Sequence, residues 1–410
     1  ITEEDLKRFQ QSRRRYRDFQ GIPLRFNLTE KEVAVFAVNR HRFDGVDVVP
    51  YLSRHYPYGE LLTQVLGYVG RLDARDLQTV DEKNYRGTSQ IGKSGIERFY
   101  ENVLHGSTGV EWVETNSRGR ALSSLQQEAP VAGSDLVLSL DVAVQAAADE
   151  TLADGAGAVV AIDPRDGSVI ALVSKPSFDG NEFVNGIDRL TYEGILNAPH
   201  RPLFNRAING SYEPGSTLKP FIGLAGLELD VTNRERRVFS NGEFHINEGG
   251  RPYRDWKKGG HGWVNIETAL EESVNTYFYD LALKLGIDRI HQYLSQFGFG
   301  QPTGIDLPGE GSGLLPSREW KRGRYNESWY PGETVISGIG QGFNVVTPVQ
   351  LATALSALVN GGDVRRPKLL YAVKPPGGET AQRVEAPVVR TVPVVDPADW
   401  GVVLEGCLLY

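Results

Sequence analysis

The stretch "GAVVAIDPRDGSVIALVS" (157–174) constrains the fold more than any other part of the chain. Its two runs are rich in Val, Ile and Ala and too short for a helix. Pro164, Arg165, Asp166 and Gly167 between them are turn chemistry, so the pattern predicts a β-hairpin. Before it, "SDLVLSL" (134–140) reads as a strand. "DVAVQAAADETLADG" (141–155) reads as an Ala-rich helix with Asp141 at its start and Gly155 at its end. A helix followed by antiparallel strands defines an α+β layer. Upstream, 1–133 mixes helical patterns with Gly, Tyr and Pro punctuation, as in "YLSRHYPYGELL" (51–62), and reads as an elongated scaffold without a catalytic cluster. Residues 191–290 are helical patterns broken by Gly and Pro, 301–350 reads as Gly- and Pro-rich loop, and no repeat of solenoid period occurs.

With 410 residues the chain exceeds the ~250–300 at which one core stops growing, so two or three domains are expected. Apolar residues at 40% and charged residues at 23% describe a soluble globular composition, and runs such as "GAVVAI" are too short to span a bilayer. The balance of 44 basic against 52 acidic residues, net −8 without long single-sign blocks, argues against a nucleic-acid groove. One basic run, "KRFQQSRRRYR" (7–17), reads as the solvated face of an amphipathic helix, with Leu6, Phe9, Tyr16 and Phe19 along its other side. The single cysteine, Cys407, excludes an internal disulfide or a multi-cysteine metal site. The chain starts at Ile1 with no signal peptide and contains no Met, so a fragment of a longer protein is expected.

"GTSQIGKS" (87–94) fits the phosphate-loop pattern at every fixed position. Such a loop needs a buried strand before it and a helix after it. "GIERFYENVLHG" after the match reads as a helix, but "LQTVDEKNYR" before it is too charged for a buried strand. A Gly-rich turn opening a surface helix is the favoured reading.

The chemistry is carried by two other segments. "NRAINGSYEPGSTLKPFIGLAGLELD" sets Ser216 three residues before Lys219 at the start of an apolar helical run, which puts both side chains on one face. A serine hydroxyl is a weak nucleophile, and a desolvated lysine with a lowered pKa can serve as its base. "ETALEESVNTYFYDLALKLG" places Ser273 and Asn275 two residues apart between helical stretches. From there a hydroxyl can relay a proton and a carboxamide can bind a substrate amide.

These segments, together with "GYVGR" (67–71), "GKSGIERFYENVLHGSTG" (92–109), "GAVVAIDPRDGSVIALVSKPSFD" (157–179), "LFNRAINGSYEPGSTLKP" (203–220) and "GIGQGFNVVTPVQLA" (338–352), resemble the penicillin-binding serine acyl transferases of the monofunctional, elongation-type class B. The resemblance implies a non-catalytic pedestal or dimerisation-like domain over 1–133 and a transpeptidase domain over 134–410, whose five-stranded antiparallel sheet is covered by helices. It implies that Ser216 attacks a D-Ala-D-Ala stem peptide, with Lys219 as base, Ser273 as relay and Asn275 as amide anchor. β-Lactams would acylate the same serine, and no cofactor is needed. It also implies an extracytoplasmic position at the cell inner membrane, held by an anchor absent from this chain, beside a polytopic glycosyltransferase and elongation-complex proteins.

One family feature is missing: no Lys-[Ser/Thr]-Gly triplet follows Ser273, and the lone Lys93-Ser94-Gly95 precedes the nucleophile. The expectation is that the closing strand lies beyond Tyr410. Asp255 and His261, in "RDWKKGGHGW", are two possible metal ligands, but zinc needs three or four. Val274 stands where some relatives carry a cysteine, so a structural loop is favoured and no metal is expected. Trp256 and Trp263 are expected to pack or to shape the substrate groove. The competing readings are a β-lactam-hydrolysing or D-Ala-releasing enzyme, a β-lactam sensor, and a non-catalytic cell-wall scaffold.

Overall fold

The computed structural model describes every residue except 14–20, 27, 74, 86, 87, 89, 116–120 and 409–410. The predicted hairpin forms: strands Gly157–Ile162 and Val169–Lys175 pair antiparallel, with Val160 opposite Leu172. Its turn is held by the Asp163 carboxylate, which accepts the Arg165 N–H at 2.9 Å, and is closed by Gly167 at φ +73. The helix Val142–Thr151 starts where Asp141 accepts the Ala143 and Val144 N–H groups. It ends four residues before Gly155, because Ala153 already turns left-handed at φ 45. Gln145, fully buried, ties this helix to the hairpin by exchanging two 2.8 Å hydrogen bonds with the Leu172 backbone.

The expected five-stranded sheet is only partly represented. Among the described residues no further strand joins the hairpin pair beyond an isolated Ser168–Lys368 bridge. The later strands have other partners: Leu370–Lys374 pairs with Asp135–Leu138, and Asp363–Arg365 with Val388–Thr391. The 301–350 segment is not all loop either. Ser317 caps a helix Arg318–Tyr325, and a second helix runs Pro331–Ser337 with Glu333 reaching back to the Tyr330 N–H at 2.8 Å. Capping chemistry there outweighs the Gly and Pro content.

The main core gathers the helices Lys219–Glu228, Asn275–Leu285, Ile287–Gln296, Pro348–Val359 and Pro397–Leu408 around Phe221, Phe278, Leu294, Phe297 and Val403. Lys219–Glu228 is apolar on nearly every side, the signature of a helix enclosed all round, and every residue but Pro220 is buried. Gly226 lets it approach Leu281, whose side chain would lie 2.8 Å from an added Cβ. At its end the buried Glu228 accepts the Trp400 indole N–H and the Val395 N–H, both at 2.8 Å.

The N-terminal part builds on the helix Glu60–Leu66 and the strand pair Val69–Arg71 with Gln90–Gly92. The predicted helix after 94 is two short pieces, Gly95–Phe99 and Glu101–Leu104, broken at Tyr100. Val65 and Ile96 share a core with Leu172, Ile208 and Val349, and the Tyr100 hydroxyl donates to Asp306 at 2.9 Å. Asp306 in turn accepts the Leu369 and Leu370 N–H groups. A ribbon of Val110–Thr115 and Ala121–Glu128 projects with its described side chains exposed. Thr2 caps the helix Glu3–Ser12, yet Leu6 on its apolar side stays exposed, and Tyr16 and Phe19 lie outside the described residues.

Candidate active site

The turn that carries Ser216 is fixed from two sides. Tyr212 and Val346 exchange backbone hydrogen bonds, and the Gly215 N–H donates to the Gly340 carbonyl at 2.8 Å. Gly215 at φ +57 bends the chain, and Gly340 at φ +70 sits so close that an added Cβ would lie 2.2 Å from the Gly215 oxygen. The Glu213 carboxylate accepts the Gly342 N–H from the same loop. Residues Gly215–Leu218 then form one 3₁₀ turn that runs into the helix at Lys219, with Pro220 filling the first-turn position. Three residues complete a 3₁₀ turn, so Ser216 and Lys219 eclipse along one face. Leu218 and Lys219 point into the core, whereas Ser216 is exposed and its hydroxyl makes no hydrogen bond among the described residues.

The second motif meets the lysine. Lys219 Nζ donates to the Ser273 carbonyl at 2.8 Å, to Ser273 Oγ at 2.9 Å and to Asn275 Oδ1 at 2.6 Å, which uses all three ammonium N–H groups. The Phe278 ring lies beneath it. Burial pushes the Lys219 pKa down to about 8, against the opposing pull of the Asp255 charge. Between the helices Ile266–Glu271 and Asn275–Leu285, Ser273 adopts φ +51, a left-handed conformation uncommon outside Gly and Asn, and Val274 is locked into the core. The structure therefore brings Lys219, Ser273 and Asn275 into direct contact and sets Ser216 one turn away on the open side.

Asp255 and His261 come together as well, but on each other. His261 Nε2 lies 3.3 Å from Asp255 Oδ1, and Nδ1 contacts the Glu272 carboxylate, holding the Glu272 pKa below its usual range. No group of three or more His, Cys, Asp or Glu side chains suited to a metal occurs among the described residues. Trp256 and Trp263 are 64% and 66% exposed, so they do not pack into the core. Sequence reasoning passed over Gly340 and Glu272; a positive-φ glycine in "GIGQG" and an acid preceding Ser273 were the available signals.

The phosphate-loop pattern has no phosphate-loop structure. A 3₁₀ turn Asp76–Gln78 and a short helix Glu82–Tyr85 precede it, Gly87 and Ser89 lie outside the described residues, and Lys93 is paired with Asp73 and Asp76. A lysine already neutralised by two carboxylates is not free to hold a phosphate.

An accessible serine one turn ahead of a buried lysine of lowered pKa supplies the two kinds of group, nucleophile and base, that serine acyl transfer uses. The chain belongs to the penicillin-binding protein family: residues 157–397 match the penicillin-binding protein transpeptidase domain, and 2–138 match the penicillin-binding protein dimerisation domain. Within it, the chain is similar to the peptidoglycan D,D-transpeptidase MrdA of Escherichia coli K12, with 45% identity over 394 residues covering 95% of the chain and 62% of that protein. The corresponding MrdA of Haemophilus influenzae is 43% identical over 91% of the chain and 58% of that protein. The chain thus spans about three-fifths of the length of these curated relatives. Among solved structures, Pseudomonas aeruginosa PBP2 in complex with WCK 5153 superposes with a TM-score of 0.75 at 44% identity, over 88% of this chain and 75% of that one. PBP2 from Helicobacter pylori, in its complex with MreC, gives 0.81 at 27% identity, over 99% and 76%.

Proposed function

We propose that the chain carries the acyl-transfer site of a class B peptidoglycan D,D-transpeptidase of the PBP2 type. The observation that supports this most directly is Lys219, buried, hydrogen-bonded to Ser273 and Asn275, and one 3₁₀ turn from the exposed Ser216. In this reading neutral Lys219 takes the Ser216 hydroxyl proton as Oγ bonds to the penultimate D-Ala carbonyl carbon of a stem peptide. The tetrahedral oxyanion forms at the Ser216 backbone N–H at the helix start. Its collapse breaks the C–N bond to the terminal D-Ala, and Ser273 passes the proton from Lys219 to the leaving amine. Asn275 holds the substrate amide. An acceptor amine from a second stem peptide then attacks the ester carbonyl carbon, its proton passes through neutral Lys219 to Ser216 Oγ as the C–O bond breaks, and the crosslink is formed. A β-lactam acylates Ser216 by the same first step.

The two units divide near residue 133, with 1–133 as pedestal and 134–410 as the catalytic part. The family's Lys-[Ser/Thr]-Gly contact to the substrate carboxylate has no counterpart after Ser273 in this chain. In this reading the protein works beside the elongation machinery on the periplasmic face of the inner membrane; the peptidoglycan D,D-transpeptidase name of its relatives and the complex of Helicobacter pylori PBP2 with MreC support the elongation role. No helix among the described residues is long and apolar enough to cross a membrane.

The test is intact-mass analysis with and without penicillin, followed by peptide mapping. One adduct on Ser216, absent in Ser216→Ala, is expected. A folded protein that gives no adduct would move the assignment to a non-catalytic scaffold.

A further inference from the structure

The helix that begins at Asn275 has a weakness at its first turn. Its N-cap is Val274, whose side chain carries no oxygen and is fully buried, so no side chain of the motif satisfies the N–H groups opening the helix. The missing cap is supplied from a distance. Asp255 Oδ2 accepts the Thr276 N–H at 2.8 Å and the Thr276 hydroxyl at 3.1 Å. Its other oxygen lies 3.3 Å from His261 Nε2, and His261 contacts Glu272, the residue before Ser273. Ser240 Oγ completes the ring, lying 2.7 Å from the Thr276 hydroxyl oxygen and accepting the His261 backbone N–H at 3.3 Å. The Trp256 indole donates to the Glu272 carbonyl at 3.1 Å from the same loop.

Both Asp255 and His261 side chains are completely buried, and Asp255 has no Lys or Arg within ion-pair distance among the described residues. A carboxylate taken out of water costs several kcal/mol unless its hydrogen bonds replace the water. That cost is met here by bonds that all end on the two residues flanking Ser273-Val274-Asn275 or on the loop that carries Asp255. Ser273, at φ +51, is the kind of residue that keeps its conformation only when its surroundings over-determine it.

We propose that Asp255 is a positioning residue for acyl transfer: through Thr276 on one side and His261–Glu272 on the other, it clamps the turn so that Ser273 Oγ and Asn275 Oδ1 face Lys219. The proposal rests on the acyl-transfer reading of this site. Asp255 touches no reacting atom, and its effect passes through the turn.

The test measures reaction with a fluorescent penicillin by stopped-time labelling across a concentration series. This separates the reversible affinity, the acylation rate constant and the fraction of protein that reacts. In Asp255→Asn the rate constant should fall tenfold or more with the affinity within threefold. A merely structural role would lower the reactive fraction and the melting temperature but leave the rate constant of the reactive molecules unchanged, and that result overturns the proposal. If Asp255→Asn does not fold, His261→Gln carries the test: a threefold or larger fall in the rate constant supports the clamp, and a wild-type value overturns it. Unlabelled wild-type protein would instead refute the acyl-transfer reading, so the two failures are distinguishable.

Discussion

The ionisation of Lys219 has a consequence that can be worked out in numbers. An ordinary lysine, pKa near 10.4, is neutral in roughly one molecule per thousand at pH 7.5. Burial holds Lys219 at about 8, which makes roughly one molecule in four neutral at that pH, a gain of ~200-fold in the available base. Only the neutral amine can accept the Ser216 proton, so the rate must rise with pH through the folded-state pKa and not fall. The assay is the second-order rate constant for labelling by a fluorescent penicillin between pH 6 and 10, with melting curves at each pH to confirm that the protein stays folded. The rate should climb about tenfold per pH unit below 7, reach half its maximum near pH 8 and level off above 9. A rate that keeps climbing tenfold per unit from 8.5 to 10 would show a lysine of ordinary basicity. A flat profile from pH 6 upward would remove Lys219 from the role of base altogether.

Three further outcomes follow from particular contacts. Asn275→Ala removes a 2.6 Å acceptor from a buried ammonium, a charge-assisted bond of ~1.5–3 kcal/mol, so labelling should slow by roughly 10- to 100-fold without loss of fold by circular dichroism. Gly340→Ala places a Cβ 2.2 Å from the Gly215 carbonyl at a backbone angle that disfavours alanine; the Ser216 turn must shift, and labelling should drop at least tenfold while the melting temperature falls only a few degrees. Glu228→Ala strands the Trp400 indole and the Val395 N–H, both bonded at 2.8 Å, so urea unfolding should show a loss of ~2–4 kcal/mol with labelling per folded molecule unchanged.

What the sequence revealed and what it hid divide by the range of the interactions. The 157–175 hairpin and the Asp141 cap depend on neighbours a few residues away, and both formed where composition placed them. Lys219, Ser273 and Asn275 could be named because each segment carries a recognisable local pattern, although only the fold could show the lysine spending all three donors on the second segment. Asp255 was visible only as half of a possible metal pair, since its bond to Thr276 crosses 21 positions and an irregular loop. Gly340 was hidden for the same reason: its close partner Gly215 lies far back in the chain. The helices at Arg318 and Pro331 were misread as loop because Gly and Pro were weighed as breakers while Ser317 and Glu333 were capping. The five-stranded sheet came from the family resemblance alone, and no run of residues in this chain specified the additional pairings.

The left-handed backbone at Ser273 also bears on how such chains diverge. A non-glycine residue held there carries on the order of 1 kcal/mol of strain. Replacement by glycine would relieve it, but would loosen the unfolded chain by ~0.4–1 kcal/mol, so the backbone by itself is nearly indifferent between the two residues. What keeps serine in place is then its hydroxyl, through the bond from Lys219 and the proposed proton relay. In descendants that have lost the reaction but kept the fold, position 273 should be among the first to drift to glycine or asparagine, and the residue found there would serve as a molecular record of whether catalysis is still under selection.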